Sequence, residues 1–254
     1  MRILVAGASG LIGNALVERL RARGDEVMRL VRREVRAPEE VRWDARTLDP
    51  AVVDAVDAVV NLCGASIGRI PWTPAYRRTL LESRGHPTVA IAEAIVAAAD
   101  PPSAFVNGSA AGFYGDRPGE LLDESSPAGT GFFPELVTAW ETAAAIAAGA
   151  TRVTMARTAV VVARGGGMTP IRLLTRIGLG AGFGRGTQFW PWISLDDEVS
   201  ALLHLVFSRL EGPVNLAGPT QATSDELTEA FARAMHCPHL LRVPALAVKA
   251  LGEA

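Results

Sequence analysis

Short apolar runs alternate along this chain with segments whose apolar residues recur every three or four positions. The apolar run at residues 3–6 predicts a buried strand. Residues 14–23, with Leu16, Val17 and Leu20 at helical spacing, predict the helix that follows it. The same reading gives strands at 26–32, 41–44 and 57–62, a helical stretch at 74–99, a strand at 103–108, a helix at 134–148 and one strand over 152–162. Gly85, His86 and Pro87 interrupt the helical stretch, so it is expected to kink there or to split into two helices.

Strand and helix alternating in this way predict βαβ units: an α/β fold with a doubly wound parallel sheet of the Rossmann kind. Ligands of such sheets lie at the C-terminal strand ends, where the winding reverses. Past residue 162 the texture changes. Gly165-Gly166-Gly167 is followed by Gly178, Gly180, Gly182, Gly184 and Gly186 and then by Phe189-Trp190-Pro191-Trp192, which suits a loop-rich lobe or lid. From Ser194 regularity returns, with Ser194-x-x-Asp197 resembling a capping box before a helix at 198–209, then a strand at 214–217 and a helix at 224–235. The expected organisation is a dinucleotide-binding domain over residues 1–164 and a smaller C-terminal substrate lobe over 165–254, partly interleaved with it.

The chemistry begins at the first turn. Gly7, Gly10 and Gly13 follow the first strand and open the first helix, the spacing of a dinucleotide-binding turn. Gly7 allows the tight bend, Gly10 lets the backbone approach a pyrophosphate, and Gly13 lets the helix pack on the sheet. Ser9, Leu11 and Ile12 complete the turn, and the phosphates would rest on the helix N-terminus. At the end of the second strand, where an NAD-preferring protein places an acid, stand Arg32 and Arg33. A guanidinium there matches a 2′-phosphate and argues for NADP(H). Asp44 ends the third strand, where it can meet the adenine or simply form a turn. Asn61, Leu62 and Gly64 lie at the end of the fourth strand, on the path of the cofactor ribose, and Val160, near the end of the strand over 152–162, is a further candidate cofactor contact. After the fifth strand, Ser109 and Tyr114 are the candidate catalytic pair: a serine to hold a carbonyl or hydroxyl, a tyrosine to move a proton.

Composition removes several alternatives. With 49% hydrophobic residues, 20% charged and a formal charge of −2 over 254 residues, the chain reads as an ordinary soluble globular protein. Its arginines are scattered, so nucleic acid is not an expected partner. No apolar run approaches a membrane span, and a strand at residue 2 leaves no room for a signal peptide. Two cysteines, Cys63 and Cys237, give neither a disulfide framework nor a metal pattern, so the expected compartment is the cytoplasm.

The glycine turn, Asn61-Leu62-Cys63-Gly64 and Ser109 with Tyr114-Gly115 together resemble the extended short-chain dehydrogenase/reductases, the sugar-nucleotide epimerase and dehydratase group. Four further segments are similar to one subfamily, the NAD(P)-dependent, nucleoside-diphosphate-sugar epimerase-like proteins of unassigned substrate. They are Trp72 with Ser83-Arg84; Ala139-Trp140-Glu141; Arg157 with Gly165-Gly166-Gly167; and Leu179-Gly180 with Gln188-Phe189-Trp190-Pro191-Trp192-Ile193 and Asp196-Asp197. The resemblance implies an NADP(H) site lined by Gly7 to Gly13, Arg32, Asn61, Leu62 and Arg84, and a homodimer formed through the helices after the fourth and fifth strands.

Three departures qualify it. Extended reductases use a Tyr-x-x-x-Lys pair, whose lysine lowers the tyrosine pKa. Here the only tyrosines are Tyr76 and Tyr114, neither followed by such a lysine, and Lys249 is the only lysine among 25 basic residues. Ser194 stands where the subfamily's Trp-Ile-His segment has its histidine. Members also continue past Leu251-Gly252-Glu253, so part of the substrate lobe is expected to be missing. The function these readings imply is an NADP(H)-dependent epimerase or reductase acting on a small hydroxyl or carbonyl substrate. A phenol ionises near ~10 in water, so Tyr114 needs a cation beside it, from Arg84 or Arg157, to serve as a base. The alternative, favoured by the missing pair, is a non-catalytic NADP(H)-sensing protein.

Overall fold

A seven-stranded parallel sheet carries the chain. The computed structural model describes residues 1–69, 71–165, 168–176, 180–183 and 185–243. Gly166, Gly167, Gly178, Leu179, Gly184, Lys249 and residues 251–253 lie outside them. In chain order the first half consists of β1 (Arg2–Ala6), α1 (Leu11–Ala22), β2 (Glu26–Val31), β3 (Glu40–Arg42), α2 (Pro50–Asp54), β4 (Ala58–Asn61), α3 (Pro74–Ala97) and β5 (Ala104–Ala110). A 3₁₀ turn (Ala111–Tyr114) leads to α4 (Phe132–Ala145), β6 (Arg152–Thr158) and β7 (Val160–Val162). Then come α5 (Thr169–Arg176), β8 (Gly180–Phe183), β9 (Trp192–Ser194), α6 (Leu195–Phe207), β10 (Gly212–Leu216), α7 (Ser224–Ala234) and β11 (His239–Val243).

The sheet order is β3-β2-β1-β4-β5-β6-β10, so the winding reverses between β1 and β4. Period-two alternation sorts each central strand onto two cores. Ile3, Val5, Val60 and Val106 face α1 and α6, whereas Leu4, Val59 and Phe105 face the α3 and α4 side. The same parity aims Asn107, Ser109 and Arg157 at α3 and α4, and Thr158 at α6. Because α6 and β10 follow the Gly-rich segment yet lie in these layers, the C-terminal stretch folds back into the first.

Residues 74–97 form one helix through Pro87, so the stretch does not split in two. Proline removes a single donor, and burial of Thr88, Ala90, Ile91, Ala92, Ala94 and Ile95 against the sheet keeps the helix whole. The strand expected over 152–162 is two. At Ala159 the chain leaves the large sheet, with Ala159 N–H donating to the Leu216 carbonyl and Val160 N–H to that of Pro191, and β7 pairs with β9 instead. The Gly-rich stretch also contains a helix, α5, and the pairing of β8 with β11. Among the described residues no helix is long and apolar enough to cross a membrane.

Candidate functional site

The turn from β1 into α1 is shaped by close approach. Gly7 has φ +78°, and a Cβ on it would lie 2.5 Å from the Leu62 carbonyl oxygen, so the turn crosses directly over the end of β4. A Cβ on Gly13 would collide with the Gly7 carbonyl. Gly10 is the least crowded of the three: its nearest neighbour would be the Gly7 oxygen at 3.3 Å, and the residue is exposed. Gly10 is also the N-cap of α1, which has no side-chain cap and no acid in its first turn. The contrast is with α6, capped by Ser194 and carrying Asp196, Asp197 and Glu198, and with α7, which has a complete capping box. Only α1 among these three leaves its first N–H groups and the positive end of its dipole unmet, the arrangement a phosphate requires. Ser9 is exposed and Leu11 and Ile12 are half-buried around it; Gly165 comes back onto this turn, 3.7 Å from Leu11 Cδ1 by its Cβ position.

Beyond β2 the two arginines differ. Arg33 grips Glu40 with both terminal nitrogens, at 2.8 and 2.6 Å, and this fork holds the Glu40 carboxyl down at about 2. Arg32 is exposed and makes no ion pair or side-chain hydrogen bond with the described residues. It lies within electrostatic reach of β4. Burial pushes the Cys63 thiol up to about 12, and the charge of Arg32 opposes that rise. Asp44 Oδ1 accepts from the N–H groups of Arg46 and Thr47, at 2.7 and 2.8 Å, and so builds the turn after β3.

Below the crevice lies a buried amide and hydroxyl cluster. Asn61 Nδ2 donates to Thr88 Oγ1 at 2.9 Å and to Asn107 Oδ1 at 2.7 Å, while its own Oδ1 accepts from Cys63 N–H. Trp140 Nε1 donates to the same Thr88 oxygen. The Asn61 side chain is therefore turned inward, and what the end of β4 offers a ligand is main chain. Beside it Leu62 N–H donates to the Ala6 carbonyl. Gly64 carries the Arg84 guanidinium directly on its backbone, with Cζ 3.0 Å from its Cβ position.

Ser109 and Tyr114 belong to a second cluster. Ser109 Oγ donates to Glu141 Oε1 at 2.6 Å; Arg157 holds both oxygens of Glu141, Nε at 2.8 Å and Nη2 at 2.9 Å. Arg157 Nη1 donates to the Tyr114 hydroxyl at 3.0 Å, and that hydroxyl donates to Asn215 Oδ1 at 2.7 Å. Glu124 Oε1 closes the chain on Asn215 N–H. Arg157, stacked 3.5 Å over Phe113, is only 4% exposed. Burial pulls its pKa down, but the bonds to Glu141 and Tyr114 outweigh this and leave it raised. The cation beside Tyr114 is thus Arg157. Glu141 was missed as a site residue. Its signal was its place on the predicted helix that lacks the Tyr/Lys pair. Val160 sits partly buried at the start of β7.

A sheet that reverses its winding at a glycine turn over an uncapped helix defines an NAD(P)-binding Rossmann protein. The model of the NAD dependent epimerase/dehydratase family matches residues 3–235, and the chain belongs to that family. It is 44% identical to an epimerase family protein of Mycobacterium bovis, over 98% of this chain and 83% of that protein. It is 36% identical to the human epimerase family protein SDR39U1, over 99% and 86%. Among solved structures it is similar to human SDR39U1 (isoform 2) with NADPH, with TM-score 0.89, 35% identity and coverage of 99% of this chain and 85% of that one. It is also similar to MoeE5 in complex with UDP-glucose and NAD, with TM-score 0.79, 25% identity and coverage of 96% and 86%.

Proposed function

We propose that the protein binds NADP(H) and exchanges hydride with a small hydroxyl or carbonyl compound. The observation that carries this reading is the division of labour after β2: Arg33 is neutralised by Glu40, and Arg32 beside it is left without a partner among the described residues. A guanidinium free to fork onto a 2′-phosphate favours NADP(H) over NAD(H). The turn at Gly7 to Gly13 and the open N-terminus of α1 would hold the pyrophosphate, with Leu62 and Gly64 lining the path beyond. The nicotinamide supplies the hydride chemistry when bound. The Ser109 hydroxyl donates its hydrogen bond to Glu141, so toward a substrate its oxygen is an acceptor and orients a hydroxyl. Arg157 fixes Glu141 and Tyr114, and so fixes Ser109. A reducing cytoplasm suits the free cysteines Cys63 and Cys237.

The test is titration with NADPH and NADH. Wild type is expected to prefer NADPH by about tenfold or more, and Arg32→Glu to abolish that preference; equal affinities in wild type would remove the 2′-phosphate role. A second reading, a cofactor-sensing protein without turnover, is supported by the commitment of both candidate hydroxyls to protein partners. Deuterium from 4-deuterated NADPH, offered with a cell metabolite extract and followed by mass spectrometry, separates the two. Label in a discrete metabolite supports the reductase. Its absence, with NADPH bound, removes net reduction and leaves the sensor or an epimerase that returns its hydride.

A further inference from the structure

We propose that the carbonyl compound reduced at this site is a quinone, a flat conjugated ring seated against Phe133 and Trp72. This deepens the reading of the crevice as a site of NADP(H) hydride exchange and rests on it. Arg84, with the Leu80 carbonyl 3.2 Å from Nη1 and the Trp140 ring 5.2 Å from Cζ, stays with the cofactor half of the crevice. Leu80 and Tyr76 precede it by one and two turns on the same face of α3, and there the surroundings change from polar to aromatic. Leu80, Leu136 and Val137 form a small core that Ala65, just after β4, and Ala110, at the end of β5, join to the strand ends. Beside it lie three half-buried rings. Trp72 meets Phe133 edge-on with centroids 4.9 Å apart and Phe132 at 6.1 Å, and its Nε1 is fixed by donating to the Ile67 carbonyl at 3.1 Å. Phe133 also closes on the turn after β5: a Cβ on Gly112 would lie 3.5 Å from Phe133 Cβ. The rings therefore border the C-terminal strand ends, where ligands of such sheets lie.

What these strand ends withhold is a proton. Hydride delivered to a simple ketone leaves an alkoxide, whose conjugate acid ionises near the value for water, ~16, and such a product needs an acid beside it. The hydroxyls that face the strand ends from β5, the turn after it and α3 already donate within the protein. Tyr76 gives its bond to the Ser66 carbonyl at 2.5 Å, Ser83 to that of Leu80, Thr88 to that of Arg84, Ser109 to Glu141 and Tyr114 to Asn215. Those two tyrosines are the only ones in the chain. A quinone asks for no such acid. One of its oxygens takes the hydrogen released by the broken C–H bond of NADPH and forms an O–H bond. The electron pair enters the ring, which becomes aromatic, and the other oxygen carries the charge as a phenolate, whose conjugate acid lies near ~10. A proton from water completes the hydroquinone, and NADP⁺ is left. A flat ring of this kind also suits the wall, since aromatic systems pack edge-to-face or offset on one another.

The full chain loaded with NADP⁺, which has no hydride to pass on, is titrated with 2-methyl-1,4-naphthoquinone while tryptophan fluorescence is followed. Saturable quenching is expected, with Phe133→Ala weakening binding about tenfold and Phe133→Leu, which keeps the bulk but not the ring, about threefold. Should Phe133→Ala not fold, the leucine variant decides. NADPH oxidation is then measured with the same quinone and with 1-tetralone, a fused-ring ketone of similar size. The quinone is expected to react at least about a hundredfold faster, the smallest factor a general acid usually supplies, and its rate to stay level between about pH 6 and pH 8 because no protein acid titrates in the step. The proposal is overturned if the quinone does not quench saturably, if 1-tetralone is reduced as fast as the quinone, or if both Phe133 variants bind the quinone as tightly as wild type. Absence of quinone turnover, with deuterium from 4-deuterated NADPH reaching some other metabolite, also overturns the quinone and leaves hydride exchange standing. Failure of wild type to bind NADPH at all sinks both.

Discussion

Arg157 and Arg84 are both guanidinium groups drawn out of water near the C-terminal edge of the sheet, yet their surroundings differ in kind. Arg157 is enclosed by Glu141, Tyr114 and Phe113, and the chain of bonds runs on through Asn215 to Glu124. Arg84 has one carbonyl and two surfaces to lie against. The same division runs across the whole edge. On the β1, β2 and β4 side, the α1 N-terminus has no side-chain cap, and among the described residues Arg32 has no partner and Arg84 no counter-charge. On the β5, β6 and β10 side, the hydroxyls of Ser109 and Tyr114 are met from within the protein. Polar groups satisfied internally hold a fold together, whereas groups left unmet at a strand edge mark where a ligand completes the structure. The difference supports cofactor binding on the first side and a more rigid framework on the second.

The two sides differ most at Arg157. Arg157→Met removes the partner of a buried carboxylate and is expected to cost about 3–5 kcal/mol, seen as a fall in the unfolding midpoint of about 10 °C. Arg157→Met with Glu141→Leu should recover much of that loss, because no lone charge remains. If the single variant unfolds like wild type, the β5–β6–β10 side is not a structural brace.

The sequence made the cofactor side legible because its signals are local. The glycine turn lies within seven residues of chain, and the pattern of strand and helix that surrounds it follows from burial periodicity. The other side depends on register. Ser109 stands opposite Arg157 on the neighbouring strand, and β10 brings Asn215 beside Tyr114 from 101 positions away. No spacing in the chain encodes those meetings. Even the choice between Arg32 and Arg33 was made elsewhere, by Glu40 on β3. The splitting of 152–162 likewise follows from acceptors at Pro191 and Leu216 that periodicity cannot see.

A smaller effect tests whether the satisfied side is complete. Glu198, fully buried on α6, accepts from Thr158 Oγ1 at 2.8 Å through Oε1, while its Oε2 has no partner. Burial raises its pKa from 4.5 to about 7, with the Thr158 bond pulling slightly the other way. The folded protein therefore holds a proton that the unfolded chain has already released between those values. Folding stability contributed by this group is full below 4.5, falls as the pH rises through that window and levels off above 7. The total is about 3–4 kcal/mol, of which about 2–3 kcal/mol falls between pH 5 and pH 8. Glu198→Gln cannot ionise, so its stability relative to wild type should rise between pH 5 and pH 8 by about that amount, whatever the amide costs at either pH. Denaturant unfolding of both proteins at the two pH values reads the difference directly. Parallel curves would mean that Glu198 stays ionised and that a cation or water within the fold meets Oε2. In that case the β6 side would be as fully satisfied around α6 as it is around α4.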